Sequence, residues 1–157
     1  NTKTMKSSNN YRQGMTLIVK TITRLTVGLI MLFGIYIVLH GHLTPGGGFA
    51  GGVIIALAFV HLTLAYGRDL AVKKMSGSAA SFLECSGALM FITIALLGYL
   101  GGWFFFNFFI HKGQPFRLFS AGIIPLCNIA ISLKVGAGLF TIFLALVALR
   151  IRKELKK

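Results

Sequence analysis

Three ionisable residues inside long apolar runs are the first candidates for chemistry in this chain. Lys134 stands in Ile131-Ser132-Leu133-Lys134-Val135-Gly136-Ala137-Gly138-Leu139, far from the ends of its run. A lysine carried into the middle of a bilayer costs about 2.5–3.5 kcal/mol on insertion scales, so such a residue faces protein or water and marks a functional position. Its mobile ammonium could take part in a proton or ion route. It could equally make a fixed ion pair or carbonyl contact in subunit packing, or snorkel toward the surface. Glu84 lies near the start of the third apolar run, and at 1.5 Å per residue it is expected to differ from Lys134 by roughly 15 Å in depth. On that reckoning Arg150 is the expected partner of Glu84, and Lys134 needs an acid from another polypeptide. His61, in the second run, is expected to hydrogen-bond to a neighbouring helix, with a proton relay as the sharper alternative.

The remaining candidates are weaker. His40-x-His42 has metal-ligand spacing, but no Cys, Asp or Glu accompanies it, and interfacial residues ending a helix fit better. Cys85 and Cys127 lie near the ends of different spans, on opposite sides of the membrane, and read as small apolar residues without a redox or metal role. No Ser, Cys or carboxylate pair has a base beside it. No catalytic residue, cofactor or metal is therefore expected, and the chain reads as non-catalytic.

The elements that hold these residues are membrane spans. The chain has 157 residues, 55% hydrophobic and 12% charged, with a formal net charge of +13, and its mean hydropathy is +0.80. A soluble domain carries about a quarter charged residues; here only Asp69, Glu84 and Glu154 are acidic. Spans are predicted at 22–39, 49–66, 82–110 and 129–149, each at least about 18 residues and long enough to cross. The fold class is all-α: a multi-pass cell-membrane protein with four transmembrane helices in one domain, 11–149. A mobile polar segment (1–10) precedes it and a basic tail (150–157) follows. No cleavable leader is expected, because the first apolar run begins after about 20 mixed residues.

The basic residues divide unevenly around those spans. Lys3, Lys6, Arg12, Lys20 and Arg24, then Arg68, Lys73 and Lys74, then Arg150, Arg152, Lys153, Lys156 and Lys157 fall on one side, against Lys112 and Arg117 on the other. This is the positive-inside pattern and places both termini in the cytoplasm. The net charge is thus a topology signal with some affinity for anionic membrane lipid, and nucleic acid is excluded as a partner.

Between the first two spans lies Leu39-His40-Gly41-His42-Leu43-Thr44-Pro45-Gly46-Gly47-Gly48-Phe49-Ala50-Gly51-Gly52. Glycine permits positive φ and close backbone approach, and Pro45 stiffens the entry. Gly47/Gly51 and Gly48/Gly52 form small-xxx-small pairs suited to close helix packing. A phosphate cradle at the helix N-terminus is the competing reading, disfavoured because no lysine follows and no strand precedes. Phe49 is the natural anchor into a neighbour. Farther along, an aromatic belt accounts for Trp103 and part of the run Phe104, Phe105, Phe106, Phe108 and Phe109, and because six aromatics in seven residues go all the way round a helix, some are expected to meet lipid or a partner protein. Gly122 and Pro125 are expected to break the apolar stretch 120–128 into a bent or re-entrant entry before the last span.

The turn from His40 to Gly52 resembles the hallmark of the MrpB (MnhB) subunit of Mrp-type multisubunit cation/proton antiporters. Glu84 ahead of a glycine-containing span, Ser120-Ala121-Gly122 with Pro125 and Asn128, and Leu133-Lys134-Val135-Gly136-Ala137-Gly138-Leu139 resemble the same subunit in the same order. The resemblance spans about 17–149; the basic N-terminus and the Phe-rich stretch are less typical of it. It implies a four-helix accessory subunit of a hetero-oligomer in which H+ influx drives Na+ export, with the pumping chemistry largely on larger subunits. Lys134, Glu84 and His61 become candidates for the ion or proton route. His40, Gly41, His42, Thr44, Pro45, Gly46, Gly47, Gly48, Phe49, Gly51 and Gly52 become a docking or packing motif, with Pro125, Asn128, Gly136 and Gly138 packing near the lysine. The same kind of subunit serves membrane-bound hydrogenases and related ferredoxin-linked redox complexes, which is the alternative host. A stand-alone homo-oligomeric carrier is the third reading; an unpartnered Lys134 would argue against it.

Overall fold

The structure, a computed structural model, describes residues 15–100, 110, 113–114, 117 and 121–154. The predicted mobile segment 1–10, the aromatic run 103–109 and the end of the basic tail lie outside the described residues. Among the described residues the secondary structure is helical: α1 (Leu17–His40), α2 (Gly47–Tyr66), a short α3 (Arg68–Lys74), α4 (Gly77–Leu100) and α5 (Ile124–Glu154). Four of them, Leu17–His40, Gly47–Tyr66, Gly77–Leu100 and Ile124–Arg150, are long and apolar enough to cross a membrane.

Three of the spans start about five residues earlier than their apolar runs imply, and each has a local cause. In α1, the backbone N–H of Lys20 reaches the Thr16 carbonyl at 3.1 Å. The threonines are accommodated by turning their hydroxyls back on the helix, Thr21 to Leu17 O and Thr26 to Ile22 O, each at 3.0 Å. The start of α4 is set by Ser76, whose hydroxyl oxygen accepts the Ala79 N–H at 3.1 Å. This cap draws the small-residue stretch 77–81 into the helix.

Of the two breaks expected in 120–128, the described residues show one at Ala121 (φ 69°) and Gly122 (φ 60°), whereas at Pro125 the helix, begun at Ile124, runs on. Pro125 is its second residue, where no intrahelical donor is needed, so the ring does not interrupt the helix.

In space the spans form a row, α1–α2–α5–α4. α1 packs along α2, α2 along α5 and α5 along α4, while α1 touches α5 lightly and α3 bears on α2. The two central spans bury 39% (α2) and 33% (α5) of their most apolar windows, against 17% for each end span. The apolar core sits at the end of the row that carries α3. There Ala71, Met75, Ala80, Ala137, Phe140 and Leu144 are buried, with Phe59, Val72 and Leu83 against them. The rings of Phe59 and Phe140 lie 5.4 Å apart. α1 is tied to this end by the Tyr66 hydroxyl, which donates to the Lys20 carbonyl at 2.8 Å, and by Met15 N–H to Ala65 O at 2.9 Å.

Candidate functional site

The glycine-rich turn closes the α1–α2 hairpin at the opposite end. The last carbonyl of α1, on His40, accepts the Leu43 and Thr44 N–H groups at 2.8 and 2.9 Å, and Thr44 Oγ1 at 3.2 Å. Gly46 (φ 144°) and Gly47 (φ 77°) then redirect the chain into α2 through conformations that side chains rarely adopt. A Cβ on Gly41 would strike Gly47 Cα, so the two limbs of the turn touch backbone to backbone. Pro45 and Gly46 are exposed, and Phe49 points outward with 64% of its surface free.

The helix that follows uses its glycines on two sides. Gly51 meets α1, where a Cβ would lie 3.0 Å from Gly34 O and strike Val38. Gly48 and Gly52 meet α5. A Cβ on Gly48 would overlap the Asn128 carbonyl oxygen and lie 2.8 Å from Asn128 Cα, and one on Gly52 would lie 3.0 Å from Ser132 O. Gly136 continues this contact, with Gly52 O 3.4 Å from where its Cβ would be. Asn128 fastens it: its Oδ1 accepts the buried Gly48 N–H at 3.2 Å. Asn128 Nδ2 is buried without a partner among the described residues.

The histidines at the turn point apart. The His40 ring stacks on Tyr36 at 4.1 Å and its Nδ1–H donates to the Tyr36 carbonyl at 3.1 Å. His42 Nε2–H donates to the Arg117 carbonyl at 3.2 Å, leaving Nδ1 buried and unpaired among the described residues. Those bonds face each ring toward a different stretch of backbone. His61, on α2, joins α1 instead: its Nε2 lies 3.3 Å from Thr23 Oγ1 and 3.4 Å from Thr26 Oγ1. Thr23, Thr26, Gly34, Gly87 and Ser132 are contributors that sequence reading missed. Their small size one or two helical turns from other small residues was the available signal.

Lys134 and Glu84 are brought together, contrary to the expected separation. Lys134 Nζ lies 3.7 Å from Glu84 Oε1, with the side chains 53% and 39% exposed. The reason is helix register. Gly87 packs directly on α5, where its Cβ would lie 2.7 Å from Ala130 O and 2.9 Å from Lys134 N. Gly138 stands opposite Glu84, its Cβ position 3.7 Å from the carboxylate carbon. Glu84 is therefore level with Gly138, one helical turn or about 6 Å from Lys134, a gap the two side chains span. Arg150 is twelve positions beyond Gly138, about 18 Å along the axis, so the expected Glu84–Arg150 pair is corrected as well. The counter-charge of Lys134 comes from within the chain, and an unneutralised lysine no longer argues for a partner or against a stand-alone carrier. Cys85 and Cys127 are both free.

This arrangement has three close glycine-mediated helix contacts, the last with an ion pair beside it. A family model described as a domain related to the MnhB subunit of Na+/H+ antiporter matches residues 18–141. An uncharacterised protein of Methanocaldococcus jannaschii is 41% identical over 119 residues, covering 72% of this chain and 45% of that protein. A Staphylococcus saprophyticus protein described as antiporter subunit mnhB2 is 31% identical over 84 residues, covering 54% of this chain and 60% of its own length. Among solved structures, the membrane-bound sulfane sulfur reductase, an archaeal respiratory membrane complex, contains a similar chain. Its TM-score is 0.70 and its identity 33%, over 85% of this chain and 60% of that one. The chain thus spans about half the length of the curated relatives it matches.

Proposed function

The chain belongs to the MnhB family, and from that premise we propose that it is a non-catalytic accessory subunit of a Mrp-type antiporter complex in which H+ influx drives Na+ export. The observation that carries this reading is the family match across residues 18–141, which takes in all four spans from α1 to most of α5. In this reading the turn Pro45–Gly52 is a rigid docking surface, with Phe49 presented to a neighbouring subunit. Glu84 and Lys134 supply intramembrane charge to an ion or proton route, and His61 with Thr23 and Thr26 is a lesser candidate for the same route. Both termini lie in the cytoplasm, in keeping with the basic residues Lys20, Arg24, Lys73, Lys74, Arg150 and Arg152 at the α3 end.

The test is in two steps. The tagged chain, purified from its native membrane, should bring with it the other antiporter subunits, identified by mass spectrometry. Lys134→Ala should then lower Na+/H+ antiport in everted vesicles several-fold while the complex persists on native gels. Unchanged transport would remove the ion-route role.

A second host is supported by the likeness to a chain of the sulfane sulfur reductase. There the same subunit would belong to a membrane-bound redox complex, and iron–sulfur or nickel signals in the purified assembly would distinguish it from a plain antiporter.

A further inference from the structure

The Glu84–Lys134 pair lies where an isolated chain cannot leave it. In α5 the span runs Ile124–Arg150, and its midpoint falls between Lys134 and Gly138. Along its own helix Lys134 is about 15 Å from Ile124 and about 24 Å from Arg150, beyond the reach of its side chain to lipid headgroups, while Glu84 stands about 10 Å from Gly77 at the start of α4. Yet the two side chains keep 53% and 39% of their surface free. At 3.7 Å the contact is longer than a hydrogen bond. The ammonium has three donors and the carboxylate two acceptor oxygens to satisfy, and among the described residues neither makes a hydrogen bond to a third group. Hydrocarbon supplies no partner for these groups. A water-filled pocket would need walls, and among the described residues the single row of helices provides none on that side.

The surface beside the pair is small. Gly138 follows Lys134 by one turn, and Ala88 follows Glu84 by one turn, both partly exposed. Each long charged side chain thus has a small residue next to it on its own helix, which lets another backbone come close.

We infer that the exposed side of the α4–α5 seam around Glu84 and Lys134 is a docking face for a transmembrane helix of another subunit, one that presents a polar or ionisable side chain at the depth of the pair. This inference rests on the subunit reading above and adds to it which face is covered and by what chemistry.

Photo-crosslinking in the intact complex tests it. A benzophenone amino acid is placed at Ser81 or Ile131, each three residues before its charged neighbour, in native membranes. The expected product is an adduct to a membrane-spanning peptide of another subunit that contains a Ser, Thr, Asn, His, Lys, Asp or Glu at the depth of the pair. Adducts to lipid alone, while the chain still co-purifies with antiporter subunits, overturn the docking face and leave the subunit reading standing. If the chain purifies alone, both fall. The exchange Glu84→Lys with Lys134→Glu gives an independent reading, because it keeps an internal pair but reverses the polarity shown to a partner. Loss of the complex band in the double variant, with the chain itself still at wild-type levels in the membrane, supports docking by charge. A complex and transport equal to wild type would mean that nothing outside the chain reads the pair.

Discussion

The two sides of α5 solve the same packing problem with opposite chemistry. Toward α2, Gly48, Gly52 and Gly136 bring backbones together and Asn128 closes the contact with a buried, neutral hydrogen bond. Toward α4, Gly87 brings the helices equally close, but the polar contact beside it is a charged pair that stays half open. A neutral hydrogen bond wholly inside the chain is suited to fixing a fold. An ion pair with spare donors and acceptors inside the spans is suited to meeting something else.

The sharpest way to break this contrast is Gly48→Leu. Its side chain would have to occupy the Asn128 backbone, so the α2–α5 contact should open and the assembled complex should vanish from native gels. A normal complex would refute close packing at the turn.

Asn128→Ala should have a smaller effect on the same side. It leaves the buried Gly48 N–H without its acceptor, a loss of about 1–3 kcal/mol, read as a lower melting temperature of the chain in detergent. No change would mean that the glycine contacts alone hold α5 to α2.

The smallest effect is expected at Gly138→Ala. The added methyl would make ordinary contact, 3.7 Å from the Glu84 carboxylate carbon, so stability in detergent should change little. Any defect should appear in transport or subunit association. A marked loss of stability in the isolated chain would place this side in the same structural class as the other.

Much of the architecture was legible in the sequence, because an apolar run of 18 residues or more has few alternatives to a spanning helix. The helix ends were less so. Hydropathy marks the hydrocarbon, whereas Ser76 and the Ala121–Gly122 turn set where α4 and α5 begin, inside stretches that look like loop. The row could not be read at all, since helices apolar all round show no face that names their neighbour. Gly34, Gly87 and Ser132 looked like ordinary small residues until their partners were in view. The error over Glu84 and Lys134 had the same origin. Depth was counted from span ends, while the register is fixed by Gly87 against Ala130. The spacing of each charge to a small residue, Glu84 to Ala88 and Lys134 to Gly138, was the signal that could have paired them.

The order of synthesis gives the α4–α5 pair a further consequence. Glu84 is translated about 50 residues before Lys134, which at 5–20 residues per second is an interval of roughly 3–10 seconds. During that time α4 has emerged and its counterion does not yet exist. An acid that cannot rest in oil unaccompanied must be kept wet until the lysine arrives. Joint membrane entry of the last two spans is the expected consequence, because it spares α4 the few kcal/mol of carrying an unpaired acid.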